Sequence, residues 1–156
     1  MDSQIVNQFI KATTSIFGQV NNVSLMKTDL EYFAGGYKVA AKIATILGVS
    51  GAFRGQFIIV LDESIAVKIA TVILAGIPVN NYGKLAESAV CELGNMIGGE
   101  ASKRLLEIGH DCDITSPKII LGQEVSTVAP TFVSKFESEW GELQLIVKFD
   151  NGAQIK

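Results

Sequence analysis

The sequence predicts an α+β fold of two layers: one antiparallel sheet with long helices packed on one face, and a pseudo-two-fold internal repeat. Three observations point there. Apolar residues recur at spacings of three and four over 2–18 and again over about 82–108, which is helical period. Residues 37–47 and 142–150 alternate apolar and polar, which is the period of a half-buried strand. And "GQFIIVLD" (55–62) resembles "LQLIVKFD" (143–150), each after a Gly-containing turn, as expected if two α/β halves share one sheet.

The elements follow in order. Ile5, Phe9, Ala12, Ile16 and Val20 make the stripe of a first helix. After Asn21-Asn22, residues 23–34 read as a strand, and Gly35-Gly36 reads as a tight hairpin turn. In the next strand Tyr37, Val39, Ala41, Ile43 and Leu47 fall on one face, with Lys38 and Lys42 on the other. Residues 55–62 are apolar on both faces and read as a central strand. Asp62 or Ser64 suits the start of a helix whose stripe is Ile65, Ile69, Val72 and Ile73. Gly76 suits its C-terminal cap, with Pro78 just beyond. A long helix over 82–108 stops near Gly109. Strands over 118–128, 130–137 and 142–150 complete the chain.

The chain has 156 residues with no low-complexity linker, so 1–156 reads as a single domain. Net charge is −3, and no run of Lys and Arg appears, which argues against nucleic acid. The N-terminal stretch lacks a basic, continuously apolar leader. The apolar-rich run 69–79 is too short to span a bilayer. With only Cys91 and Cys112, a disulfide framework is not expected. These features together read as a cytoplasmic protein without membrane contact.

"ESAVCELGNMIGGEASKRLL" (87–106) is the informative stretch. It holds Gly94, Gly98 and Gly99, although each Gly costs a helix interior about 1 kcal/mol relative to Ala. On a helix, Ser88, Glu92, Asn95 and Gly99 share one stripe, and Val90, Leu93, Ile97 and Ala101 lie opposite. The apolar face must meet the sheet, so the polar stripe looks outward. An outward Gly99 leaves room beside Asn95 for another molecule, and Gly94 and Gly98 suit close packing on a neighbour. On pattern alone, simple solvation explains an exposed Glu and Asn as well as a site does. "GHDCD" (109–113) contains ligand-type residues, but their spacing is too tight for a common zinc pattern. "GVSGAFRGQ" lacks the Lys-Ser/Thr ending of a phosphate loop.

Ser88, Glu92 after three residues, Asn95 after two more, and Pro117 further on resemble the signature of the CheC/CheX/FliY phosphatases of bacterial chemotaxis. The spacing from Asn95 to Pro117 is one residue shorter than that signature. The flanking "ELGNMIGGEASKRL" and the upstream strand-then-helix unit "GAFRGQFIIVLDESIAVKIATVILAG" are also similar to the family, over roughly residues 35–150. CheC proteins carry the motif on both related helices. Here the first helix does not: if Asn7 is placed opposite Glu92, Ile10 stands where Asn95 does. One motif per chain resembles the CheX group.

The resemblance implies a CheC-like fold and an aspartyl-phosphate phosphatase whose substrate is a phosphorylated CheY-type response regulator, ending the chemotaxis signal. Glu92 would pair with the regulator's active-site Lys, and Asn95 would orient an attacking water. Ser88 and Gly99 would lie in the contact, and Pro117 would shape the turn beside it. No cofactor is implied on this chain; Mg²⁺ is expected in the regulator. A homodimer joined through sheet edges is also implied. The competing reading is a non-catalytic module, like those of flagellar switch proteins, that only binds a regulator.

Overall fold

Residues 55–61 are apolar at almost every position, so the strand they form must be covered on both faces and flanked on both edges. The structure, a computed structural model, describes residues 2–75 and 77–150. Strands β1 (Met26–Phe33), β2 (Lys38–Gly51), β3 (Gly55–Leu61), β4 (Cys112–Ile114), β5 (Lys118–Ser126), β6 (Thr131–Ser138) and β7 (Gly141–Phe149) form one antiparallel sheet. Helices α1 (Asp2–Asn21), α2 (Glu63–Ile73) and α3 (Lys84–Glu107) complete the chain. The strand order is β1-β6-β7-β3-β2-β4, and β5 shares the outer edge of β2 with β4. The central pair is therefore β3 and β7, from opposite ends of the sequence.

The expected repeat is visible in this order. Exchanging β1 with β5, β2 with β6 and β3 with β7 reverses the row β1-β6-β7-β3-β2-β5 onto itself. The register agrees: Ile58 pairs with Ile146, and these are the fourth residues of the two similar segments. Equivalent residues face each other only where a two-fold axis passes between them. Each half also lends its outer strand to the other, since β1 pairs with β6 and β5 pairs with β2.

Gly35-Gly36 is not a hairpin turn. The strands on either side of it lie four places apart in the sheet, yet only residues 34–37 connect them. Four steps of about 4.8 Å is close to the full reach of so short a link. The link is bent, with the Gly36 amide bonded to the Phe33 carbonyl, so the sheet itself must curl. Residues 127–130 make the equivalent crossing from β5 to β6. The two links are clasped: the Thr127 amide donates to the Tyr37 carbonyl, and the Tyr37 amide donates to Thr127 Oγ1, both at 2.9 Å.

Curling divides the apolar side chains into two clusters. The larger lies between the sheet and the helices and holds Leu47, Phe57, Phe136 and Leu145 beneath Phe9, Ile69 and Leu93. Phe9 and Phe57 stack with ring centroids 5.1 Å apart. The smaller cluster, on the far face, holds Ala41, Ala44, Ile58, Val60 and Ile146, with Phe33 at the end of β1 and Tyr37 of the first link packed on it. The single face expected for β2 is thus split. Tyr37, Val39 and Ala41 join the far cluster, whereas Ile43 and Leu47 face the helices, so the alternation breaks at Lys42.

Local signals account for the helix ends. Asp62 caps α2, its Oδ1 accepting from the Ile65 amide at 2.9 Å, and Ser64 donates to the same oxygen. The buried face of α2 is Ile65, Ala66, Ile69 and Ala70; Val72, expected inside, is exposed. On a helix those four positions centre about 90° away from Val72, which therefore lies to the side of the buried face. Ala75 takes the left-handed conformation beyond α2, at φ 54°. The expected Gly76 cap lies outside the described residues. Among the described residues no helix is long and apolar enough to cross a membrane.

Gly36 has φ 111°, and a Cβ there would collide with the Thr127 backbone. Gly36→Ala should therefore lose about 1–3 kcal/mol of stability. Gly18→Ala, in open space on α1, should gain up to about 1 kcal/mol. Urea unfolding of the two variants beside wild type checks both signs.

Candidate functional site

Helix α3 carries the site, and its composition sets how it lies. Its buried residues are mostly small: Ala86, Ala89, Gly94, Gly98 and Ala101, among Val90, Leu93, Ile97 and Leu105. Gly94 and Gly98 face the sheet rather than another helix. A Cβ on Gly94 would stand 3.3 Å from Cδ1 of Leu47. One on Gly98 would stand 3.0 Å from Cγ2 of Ile114 and 3.5 Å from Cδ2 of Leu47. Leu47 of β2 thus fills the notch that the two glycines leave, and α3 is seated on it. Gly99, one residue on, has nothing within 4 Å of its Cβ position. Two of the three glycines of α3 thus seat it on the sheet, and the third leaves its outer surface bare.

The outward stripe is as expected. Ser88, Glu92, Asn95 and Gly99 are all exposed on α3. Among the described residues neither Glu92 nor Asn95 has an intramolecular hydrogen-bond or ion-pair partner. The neighbouring carboxylate Glu100 contrasts with them, held by Arg104 Nε at 3.0 Å. The carboxylate and amide are therefore available to a second molecule.

An open groove of about 290 Å³ runs beside Asn95, between α3 and β4. Asn95, Gly98, Gly99 and Ser102 form one wall, and Cys112, Asp113, Ile114 and Thr115 the other. Ser102 ties the walls together, its Oγ donating to the Cys112 carbonyl at 3.1 Å. Thr115 Oγ1 accepts from the Gly48 amide at 2.8 Å and anchors the far wall to β2. Ser102 and Thr115 were not singled out from the sequence. Ser102 could have been, because it continues the stripe three residues beyond Gly99. Strand β4 was also missed, three residues being too few to show a period. Pro117 is half-buried in the link after β4 and does not line the groove.

The remaining reactive side chains are poor nucleophiles. Burial pushes the Cys91 thiol up, and Glu87 pushes it further. Burial also pushes Cys112 up, against the lowering effect of the Ala52 and Phe53 amides. Both stay protonated near neutral pH, and a protonated thiol is not a nucleophile. Among the described residues no three His, Cys, Asp or Glu side chains gather as a metal site needs. What the arrangement can do is present a carboxylate and an amide, about one helical turn apart, to a surface that closes on it.

The family model of the chemotaxis phosphatase CheX matches residues 43–137, which include the second part of β2, all of β3 and α3, and the groove. The chain belongs to the CheX family. It is 28% identical over 153 residues to the CheY-P phosphatase CheX of Thermotoga maritima, covering 95% of this chain and 98% of that one. The crystal structure of a CheX from Desulfovibrio desulfuricans superposes with a TM-score of 0.83 at 19% identity, covering 94% of this chain and 99% of that chain. The CheX of Borrelia burgdorferi, solved as a CheX–CheY–BeF₃–Mg²⁺ complex, superposes with a TM-score of 0.69 at 19% identity, over 96% and 97% of the two chains. Two of these likenesses are below a quarter identical and speak to the fold alone.

For this CheX-family helix the glycines separate stability from access. Gly98→Leu should lower stability by about 1–3 kcal/mol or more through overpacking against Ile114 and Leu47. Gly99→Leu should leave the melting temperature unchanged or raise it. Thermal unfolding of both variants by circular dichroism tests the difference.

Proposed function

We propose that this chain is a phosphatase that hydrolyses the aspartyl phosphate of a CheY-type response regulator in the cytoplasm and so ends a chemotaxis signal. The observation that carries the roles is the free Glu92–Asn95 pair beside an unobstructed Gly99. The family membership supplies the substrate.

An acyl phosphate is already a reactive group, so the demands on this chain are for positioning. Glu92, unpaired and outward, makes a charge-assisted contact with the regulator's active-site Lys and holds α3 in register. The Asn95 side chain enters the regulator's site. Its amide both donates and accepts, so it can hold a water with a lone pair aimed at phosphorus. The water oxygen bonds to phosphorus, the bond from phosphorus to the aspartyl oxygen breaks, and aspartate and inorganic phosphate are the products. Mg²⁺ bound to the regulator neutralises phosphoryl charge, and no cofactor is required on this chain. Gly99 is the clearance that lets the two surfaces close, and Ser88 lies at the rim. The link carrying Pro117 braces the far wall of the groove through Thr115.

Decay of the phosphorylated regulator, alone and with a small molar fraction of this protein, tests the reading. Wild type should accelerate decay catalytically. Asn95→Ala should lose about a hundredfold in kcat with little change in KM. Glu92→Ala should raise KM by roughly tenfold or more. Gly99→Leu should stay folded and turn over poorly. Tight binding of the phosphorylated regulator with no change in its decay would favour the purely binding module instead.

We also propose that two copies join through a sheet edge. Among the described residues, β1 on one side and β4 and β5 on the other have no strand partner on their outer edges, and Met26 and Tyr32 on β1 are exposed. An open edge of this length is a ready template for pairing. Light scattering should give twice the 16.7 kDa mass of the chain; a stable single-chain mass at micromolar concentration would rule the dimer out.

A further inference from the structure

The outward stripe of α3 does not stop at the residues the chemistry uses. From Leu85 to Leu106 the positions recur at three and four, passing through Ser88, Glu92, Asn95 and Gly99. Leu85 and Leu106 are 54% and 59% exposed. A lone exposed leucine is ordinary. Here, though, the other large apolar residues of α3 point inward: Val90, Leu93, Ile97 and Leu105 are buried, and Met96 is partly buried against the core. The two exceptions fall within about 40° of Glu92 on a helical wheel and sit at opposite ends of the helix. The pair that does the chemistry lies between them.

Two polar contacts three residues apart fix the register of a docked helix but not its tilt. A contact far from Asn95 does fix tilt, because it acts on a longer arm. At 1.5 Å per residue, Leu85 lies about 10 Å from Glu92 and Leu106 about 16 Å from Asn95. The leucines are about 31 Å apart, which is the width of a small domain. A partner of that size covers both only by lying along the whole of α3. A misplacement of about 1 Å at the reacting water can cost a hundredfold in rate, so holding the tilt matters.

We propose that Leu85 and Leu106 are the two apolar anchors by which α3 lies along the receiver domain of its regulator, with Asn95 held in line between them. This rests on the phosphatase reading and extends it. The surface is continuous with the Glu92–Asn95 contact, and the occupant is the same regulator. Both leucines are positioning residues, since neither reaches the phosphoryl group.

The test uses Leu85→Gln, Leu106→Gln and the double variant of the full chain. Val128→Gln is the control, an 82% exposed apolar residue on a link away from α3. Two readouts run together: steady-state turnover of the phosphorylated regulator, and binding to regulator loaded with BeF₃⁻ and Mg²⁺. Each single variant should keep the wild-type melting temperature, raise KM and the dissociation constant about five- to tenfold, and retain most of kcat. The double variant should lose kcat as well, because tilt is then unconstrained. Val128→Gln should match wild type. If wild type turns over normally and both single variants stay within twofold of its KM and affinity, the anchors are overturned while the phosphatase stands. If wild type binds without turnover, the phosphatase reading fails and the binding series still decides the anchors. If it neither binds nor turns over, both fail.

Discussion

Two links of four residues each carry the chain from one side of the sheet to the other, and most of the molecule follows from their shortness. Neither could span a flat sheet of this width while bent. The sheet therefore curls until the links meet, and Tyr37 and Thr127 bond there through both backbone and side chain. The curl folds one face around Ile58 and Ile146 and closes it without any helix. The other face is left as the floor for all three helices. Gly36 stands at the clasp because no other residue combines its backbone angle with its nearness to Thr127.

How the helix layer rests on that floor decides what the site can be. Leu47 projects from β2 toward both Gly94 and Gly98, with Thr45 beside the first and Ile114 and Phe57 beside the second, so these side chains and the two absent ones set the height and rotation of α3. Rotation determines which residues look outward, and those are the carboxylate, the amide and the bare Gly99. The first half of the repeat has its own helix, α1, and if its Asn7 is matched to Glu92, Ile10 stands where Asn95 does. That helix packs on the sheet through Phe9, whose ring lies tilted against Phe57 with centroids 5.1 Å apart. One half of a symmetric scaffold thus carries the exposed carboxylate–amide pair, and the other does not.

Much of this was legible in the residues. The helices were readable because Ile5, Phe9 and Ile16, or Leu93 and Ile97, keep the helical period over several turns. Strand β3 was readable because it is apolar throughout. The site stripe was readable because helical geometry places Ser88, Glu92, Asn95 and Gly99 together whatever the rest of the chain does. Pairing was not legible. Gly35-Gly36 looks the same in a hairpin as in a crossing, and only a partner about a hundred residues away makes the difference. For the same reason Ala41 was placed with Ile43, since a break in alternation at Lys42 comes from sheet curvature and leaves no local mark. The groove wall of Asp113 and Thr115 was hidden because it comes from a three-residue strand.

The exchange of outer strands between the halves bears on how the protein is made. During synthesis β1 leaves the ribosome early, but its partner β6 begins only at Thr131. At about 5–20 residues per second, β1 waits several seconds with both edges open. Residues 1–61, although they contain a helix and three strands, cannot close into a finished unit, because β3 lacks β7 and β1 lacks β6. In β1, Lys27, Asp29 and Glu31 alternate with Thr28, Leu30 and Tyr32, so the waiting strand is not a continuous apolar run. A scaffold built by interlocking two halves is thereby committed to late, all-at-once completion.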